Sequence, residues 1–180
     1  MSSDDGISVR RIRAAESLTL RDLRVSSLAD APDAFGQRLH EAVAVPDAEW
    51  RQMARASANG PGRAWILAFR EAQPVGLVQG RRRPPSTLLL FSLWVDPEAR
   101  RGGVGRRLIE ALEDWSAGWG ATETVLWVHA GNTPALAFYR ELGFQVLEDG
   151  DDAASGKRFD ALALRRGQPS PDALTRRPTS

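Results

Sequence analysis

Residues 99–107 read ARRGGVGRR, lying between the apolar run LLLFSLWV with its following DP and a stretch that looks helical. A helix N-terminus offers unpaired N–H groups and a partial positive charge, so a glycine-rich turn leading into one can wrap a phosphate at close range. Gly102, Gly103 and Gly105 permit a backbone approach that a Cβ would block. Arg100, Arg101, Arg106 and Arg107 add positive charge, and Val104 lends its backbone. An ordinary turn with solvated arginines is the plain alternative.

Three phosphate-binding patterns compete for this loop. The dinucleotide fingerprint needs a third glycine, but GVGRRL has Leu108 there, and DPEARR separates the loop from its strand. A Walker A loop needs Gly-Lys followed by Ser or Thr, whereas Gly105 is followed by Arg106. The third pattern, Arg/Gln-x-x-Gly-x-Gly/Ala after an apolar-x-Val-x-Pro strand end, is met by Arg100, Gly103 and Gly105 with LWVDP upstream. A second block follows about thirty residues on in LWVHAGNTPALAFYRELGF: Asn132 after a strand, a short helix reaching Tyr139, then the pair Gly143 and Phe144.

With both blocks in this order, the sequence resembles the GNAT family of N-acetyltransferases, strongly over residues 86–147, fairly over 63–85 and more weakly before that. The resemblance implies acetyl-CoA as acetyl donor, with its pyrophosphate on the loop from Arg100 to Arg106. It implies that the pantetheine arm runs beside the preceding strand at Leu93, Trp94 and Val95, which serve through their backbone. Asn132 is implied to bond the cofactor, its plainer role being an N-cap for the helix that carries Tyr139. Tyr139, the sole tyrosine, stands where the family places its general acid. A phenol of pKa ~10 stays protonated at neutral pH and can donate to a thiolate of pKa ~8.5, while packing its ring in the core is the other role open to it.

Acetyl transfer also needs a neutral amine, so something must take the proton of an ammonium whose pKa is ~10.4. Many family members carry a Glu on the strand before the loop, but LLLFSLWV has no acid. Glu41 and His129 are the candidates, with His40 behind them. Phe35 and some of Trp50, Trp65, Trp94 and Trp127 could wall an acceptor pocket, although most aromatic residues belong to cores.

The elements that must position these groups are legible in outline. ISVRRIR alternates as an edge strand, and Leu18, Leu20, Leu23 and Leu28 are spaced for a helix. An irregular stretch with Pro32, Gly36 and Pro46 precedes a shorter helix, PDAEWRQMARASAN. RAWILAFR and PVGLVQGR form a hairpin across EAQ, and TLLLFSLWV is a third strand. A helix from Val104 to Gly118 or Gly120, the strand TVLWVHA, the helix NTPALAFYREL capped by Gly143, and the strands FQVLE and FDALALR complete the order. This is an α/β arrangement, a mixed sheet with helices on both faces, and not the regular alternation of a Rossmann or barrel fold. One domain over 1–166 with a polar, mobile tail at 167–180 is expected.

Composition narrows the function classes. With 24 Lys+Arg against 23 Asp+Glu the net charge is only +1, so no global field gathers nucleic acid or an anionic membrane. RRRPP at 81–85 reads as a hairpin tip of solvated charge. The absence of cysteine and the presence of two histidines argue against a metal centre. With neither a signal-like start nor a membrane-spanning run, a cytoplasmic protein is expected. Exposed strand edges leave a homodimer open. The resulting expectation is an acetyl-CoA-dependent N-acetyltransferase acting on a small amine, a protein N-terminus or a lysine. A non-catalytic acyl-CoA-binding module on the same fold is the alternative.

Overall fold

The alternating opening forms a strand, Ile7–Arg11 (β1), which pairs antiparallel with Arg63–Arg70 (β2), Ile7 standing opposite Arg70. The computed structural model describes residues 6–147 and 161–167. Between these strands lie three helices, Ser17–Asp30 (α1), Leu39–Ala44 (α2) and Asp47–Asn59 (α3). Leu20, Leu23 and Leu28 of α1 are buried as their spacing predicts, but Leu18 is 54% exposed. Two residues apart on a helix cannot share a face, so Leu18 and Leu20 could not both point inward. The stretch expected to be irregular contains a 3-10 turn at Pro32–Ala34 and the short α2.

The expected hairpin joins β2 to Gln73–Arg83 (β3) across Glu71 and Ala72, Glu71 adopting φ 54°. β3 runs on through Arg81, Arg82 and Arg83, so these arginines belong to the strand and the turn is confined to residues 84–86. Thr87–Val95 (β4), Val104–Ala117 (α4), Glu123–His129 (β5) and Thr133–Glu141 (α5) follow where the pattern places them. Gln145–Val146 (β6) and Ala161–Gly167 (β7) end the described chain. Glu148, Phe159 and Asp160 of the expected last strands, and the expected tail beyond Gly167, lie outside the described residues. The strands hydrogen-bond in the order β1-β2-β3-β4-β5-β7-β6, with β4 and β5 parallel and the other described registers antiparallel. This is the mixed sheet expected.

The chain divides into two compact units, one up to Arg81 together with Phe91–Leu112, the other Arg82–Leu90 with the described residues from Glu113 onward. In the first, α1 and α3 press Leu20, Leu23, Trp50 and Ala54 against Trp65, Leu67 and Phe69 of β2, Leu77 of β3 and Trp94 of β4. Neighbouring strand residues face opposite ways. Gly76 therefore faces away from that cluster, and a Cβ on it would come within 3.2 Å of Leu108 Cδ1 on α4. Helices thus cover both faces of this half of the sheet. In the second unit, Val125, Leu126, Leu136, Phe144 and Leu164 are buried. There the Arg166 guanidinium donates to Glu113 and to the Leu142 carbonyl, and Thr124 Oγ1 donates to Glu113 Oε1 at 2.9 Å.

Candidate active site

In the first unit the site starts on β4. The strand pairs with β5 over Thr87–Leu89, and Ser92 then takes φ 55°, a left-handed conformation inside an apolar strand. That kink breaks the regular pleat just before Leu93, Trp94 and Val95, the residues expected to offer their backbone. Asp96 N–H donates to Val75 O at 2.8 Å, fixing the end of β4 on β3. Gly76 beside it is tightly covered, since a Cβ there would lie 3.0 Å from Trp94 O.

The loop follows as a built turn. Asp96 Oδ1 accepts from Glu98 N–H at 2.9 Å, capping the 3-10 turn Pro97–Ala99. Arg101 and Gly103 then adopt φ 65° and 75°, and Val104 is buried at 2% exposure as α4 begins. Arg107 N–H donates to Gly103 O at 3.1 Å. Among the described residues, no N–H from Arg101 to Arg106 enters a backbone hydrogen bond. Six successive donors at the positive end of a 14-residue helix are the physical basis of an anion cradle.

The arginines of the loop take different places. Arg101 and Arg106 are exposed beside the cradle. Arg100 instead turns back: its Nε donates to Val95 O at 2.9 Å and its Nη2 pairs with the Asp30 carboxylate. The same Asp30 oxygen accepts the Trp94 indole N–H at 2.8 Å. The indole, and after it the Arg100 guanidinium, hold the Asp30 carboxyl below the usual carboxylate range. Asp30 therefore ties the end of α1 to β4 and to the loop. Sequence reading missed it, because an Asp after a run of helix carries no mark of a distant partner. Arg107, one turn into α4, donates its Nη2 to Ile7 O at 2.8 Å.

In the second unit, Asn132 Oδ1 accepts from Ala135 N–H at 3.2 Å, so the cap role read from the sequence is realised. Pro134 sits in the first turn, where its missing N–H costs nothing. α5 ends at Leu142, and Gly143 at φ 86° turns the chain so that Phe144 N–H reaches Tyr139 O at 3.0 Å. Tyr139 is buried edge-on between Phe138 and Phe144, with ring centroids 5.3 and 5.5 Å away. Burial raises its phenol pKa, so the hydroxyl is a proton donor and not a phenolate at neutral pH. His129 is half-buried at the end of β5.

The acceptor candidates sit apart in character. Phe35 is half-buried and packs on the first unit's core cluster. Glu41 is exposed, its Oε2 accepting Arg38 N–H at 2.7 Å at the start of α2; a carboxylate so used is a cap first. Trp50, Trp65 and Trp94 all belong to the core cluster. Among the described residues no group of three or more His, Asp or Glu could hold a metal ion.

Comparison with known proteins places this arrangement. A profile of the acetyltransferase (GNAT) family matches residues 25–144. Mycothiol acetyltransferase of Nocardioides sp. (strain ATCC BAA-499 / JS614) is 29% identical over 161 residues, which cover 83% of this chain and 53% of that protein. The bS18-alanine N-acetyltransferase of Escherichia coli K12 is 44% identical over 55 residues, 31% of this chain and 37% of that one. The chain spans about half the length, or less, of the curated relatives it matches. Among solved structures, PaiA N-acetyltransferase of Thermoplasma acidophilum in complex with coenzyme A shares the fold at a TM-score of 0.72 and 17% identity, covering 90% of this chain and 99% of that one. The family profile spans more than half of the sequence and includes β4, the cradle and the helix of Tyr139, and so the chain belongs to the acetyltransferase (GNAT) family.

Proposed function

We propose that this protein transfers the acetyl group of acetyl-CoA to a primary amine, on a small molecule, a protein N-terminus or a lysine. The observation that carries this reading is the run of six N–H donors from Arg101 to Arg106, left unbonded by two left-handed residues at the start of α4. That cradle suits a pyrophosphate, and the β4 backbone just before it, freed by the kink at Ser92, suits an extended amide-bearing arm. The relatives named as N-acetyltransferases support the same class of reaction.

Bound acetyl-CoA supplies the reactive thioester. The chain must orient it, stabilise charge on its carbonyl oxygen, and move two protons. The Leu93 and Val95 N–H groups are the donors assigned to the carbonyl oxygen. As the C–N bond to the amine forms and the C–S bond breaks, the Tyr139 hydroxyl gives its proton to the departing sulfur, and solvent returns one to the phenolate. The ammonium proton leaves to a base, for which His129 and Glu41 are the candidates, Glu41 Oε2 also accepting Arg38 N–H at the start of α2.

A second reading has one observation in its favour. β4 carries no acid where many family members have a Glu, which suits a module that binds acyl-CoA without turning it over. Melting with acetyl-CoA and CoA release with a panel of amines separate the two. At 100 times its dissociation constant the ligand adds ~2.7 kcal/mol, a rise of roughly 5–11 °C for a chain of this size. No rise overturns both readings; a rise without CoA release from any amine leaves the second.

A further inference from the structure

Arg24 is an anomaly in the first unit. It lies on the inward face of α1 at 6% exposure, yet among the described residues no carboxylate comes within ion-pair distance of it. Its Nε donates to the Gln37 side-chain oxygen at 3.1 Å, its Nη1 meets Ser27 Oγ at 3.4 Å, and its Cζ lies 4.8 Å over the Phe35 ring. All three neighbours are neutral. A guanidinium has five N–H donors and stays charged at any physiological pH, and burial without a counter-ion depresses its pKa to about 10. Buried charges are ordinarily paired. The core beside it repeats the imbalance, because the indole N–H groups of Trp50 and Trp65 are buried there without an acceptor.

This donor-rich spot adjoins the transfer machinery of the same unit. Phe35 packs on the cluster that contains Trp94. The helix that carries Arg24 ends at Asp30, which holds the Trp94 indole and Arg100. An acceptor lying against Phe35 would therefore be close to the β4 backbone assigned to the thioester.

We propose that Arg24, with Gln37 and Phe35, recognises a carboxylate carried by the amine acceptor, so that the substrate supplies the counter-ion this arginine lacks. This rests on the acetyl-transfer reading above. The planar fork of an arginine matches a carboxylate through two parallel N–H donors, a fit that neither a neutral amide nor an alkyl chain reproduces. An acid that releases Arg24 from Gln37 keeps the Phe35 ring beneath it.

The test uses the full chain and matched acceptors: alanine against alaninamide, 4-aminobutanoate against butylamine, and the C-terminally amidated peptides Ala-Glu amide against Ala-Gln amide. Expected is at least a tenfold preference in kcat/KM for the acidic member of a pair. The first two pairs respond if a small amino acid is the source of the carboxylate, and the third if an acidic side chain is. Arg24→Met keeps the apolar stem and removes the charge. It should raise KM for the acidic member at least tenfold with kcat and the neutral member little changed, and Arg24→Lys should recover part of the loss. A second readout needs no turnover: succinate and acetate titrated into the protein should raise the melting temperature of the wild type more than that of Arg24→Met, in which the anion cradle at Arg101–Arg106 is unchanged. Equal turnover of both members together with no stabilisation by either acid overturns the proposal. So does an Arg24→Met loss that falls equally on acidic and neutral acceptors, the mark of an arginine that only pins the Gln37 loop. If acetyl-CoA itself fails to bind, the acetyl-transfer reading falls, while the response to succinate still reports on Arg24.

Discussion

Gly103→Ala isolates the backbone conformation of the cradle from everything else in it. At φ 75° Gly103 is left-handed, and a Cβ built there meets nothing within 4 Å. The substitution therefore carries no clash, and its cost is that of placing an L-residue in the left-handed region, about 1–2 kcal/mol. Gly102 is the internal control. Its backbone needs no left-handed φ, and its added Cβ would meet only Ala99 O, at 3.8 Å. Gly102→Ala should leave the apo protein unchanged or raise its stability by about 0.4–1 kcal/mol through the unfolded chain. The cost at Gly103 can appear in two places. If the cradle keeps its shape, the apo melting temperature falls by roughly 2–8 °C. If the loop relaxes out of the cradle shape, melting holds and apparent CoA affinity falls about five- to thirtyfold, the same free energy read as a lost competent population. Melting scans of both apo variants and CoA titration by calorimetry distinguish these. Gly103→Ala with unchanged melting and unchanged CoA affinity would refute the reasoning, as would an apo Gly102→Ala as damaged as Gly103→Ala.

Asp30→Asn keeps an oxygen for the Trp94 indole and loses only the partly exposed pair with Arg100, so it should cost about 0.5 kcal/mol; Asp30→Ala strands a buried indole N–H and should cost about 1–3 kcal/mol and weaken CoA binding. Because the folded-state pKa of Asp30 is depressed, the stability it adds is complete above the unfolded value of ~3.9 and is lost as pH falls through the lower folded value. Wild type and Asp30→Asn should accordingly differ in urea unfolding at neutral pH and converge once the pH has fallen below the depressed folded value. Gly76→Ala forces a Cβ to 3.0 Å from Trp94 O and 3.2 Å from Leu108 Cδ1, an overpacking of about 1–3 kcal/mol, read by denaturant unfolding; full stability would mean that β4 and α4 part easily there. Tyr139→Phe keeps the packing against Phe138 and Phe144 and removes one O–H. Turnover should fall about 10²- to 10⁴-fold with acetyl-CoA affinity nearly constant, and unchanged single-turnover rates would return Tyr139 to the core.

The parts of the site that rest on backbone conformation were the legible ones. Gly102 to Gly105 announce a turn before a helix, and Asn132 with Pro134 announces a capped start, because each of those residue types has few other uses. The kink at Ser92 left no trace, since a serine in an apolar strand has many explanations and only the neighbouring strands decide among them. Long-range polar partners were equally hidden. Asp30 and Arg100 are 70 residues apart, and Arg24 reads as a surface residue until α1 is seen to turn it inward. The six-residue α2 is too short to show a helical period between Gly36 and Pro46. Arg81 to Arg83 were assigned to a turn because charge and proline mark loops on average, while the ladder with β2 carries at least Arg81, opposite Arg63, as strand.

The bond from Arg107 to Ile7 O spans 100 residues, and this orders events during synthesis. When Arg70 has emerged from the ribosome, β1 already has the strand it pairs with. The arginine that clasps its first residue is still 37 residues from emerging, roughly 2–7 s later at about 5–20 residues per second. Throughout that interval the outer edge of the sheet is incomplete at Ile7, and the helix that opens the anion cradle does not yet exist. Fusions that crowd the residues before Ile7 should therefore lower the yield of folded protein through events during translation, even where they leave the equilibrium stability of the finished chain untouched.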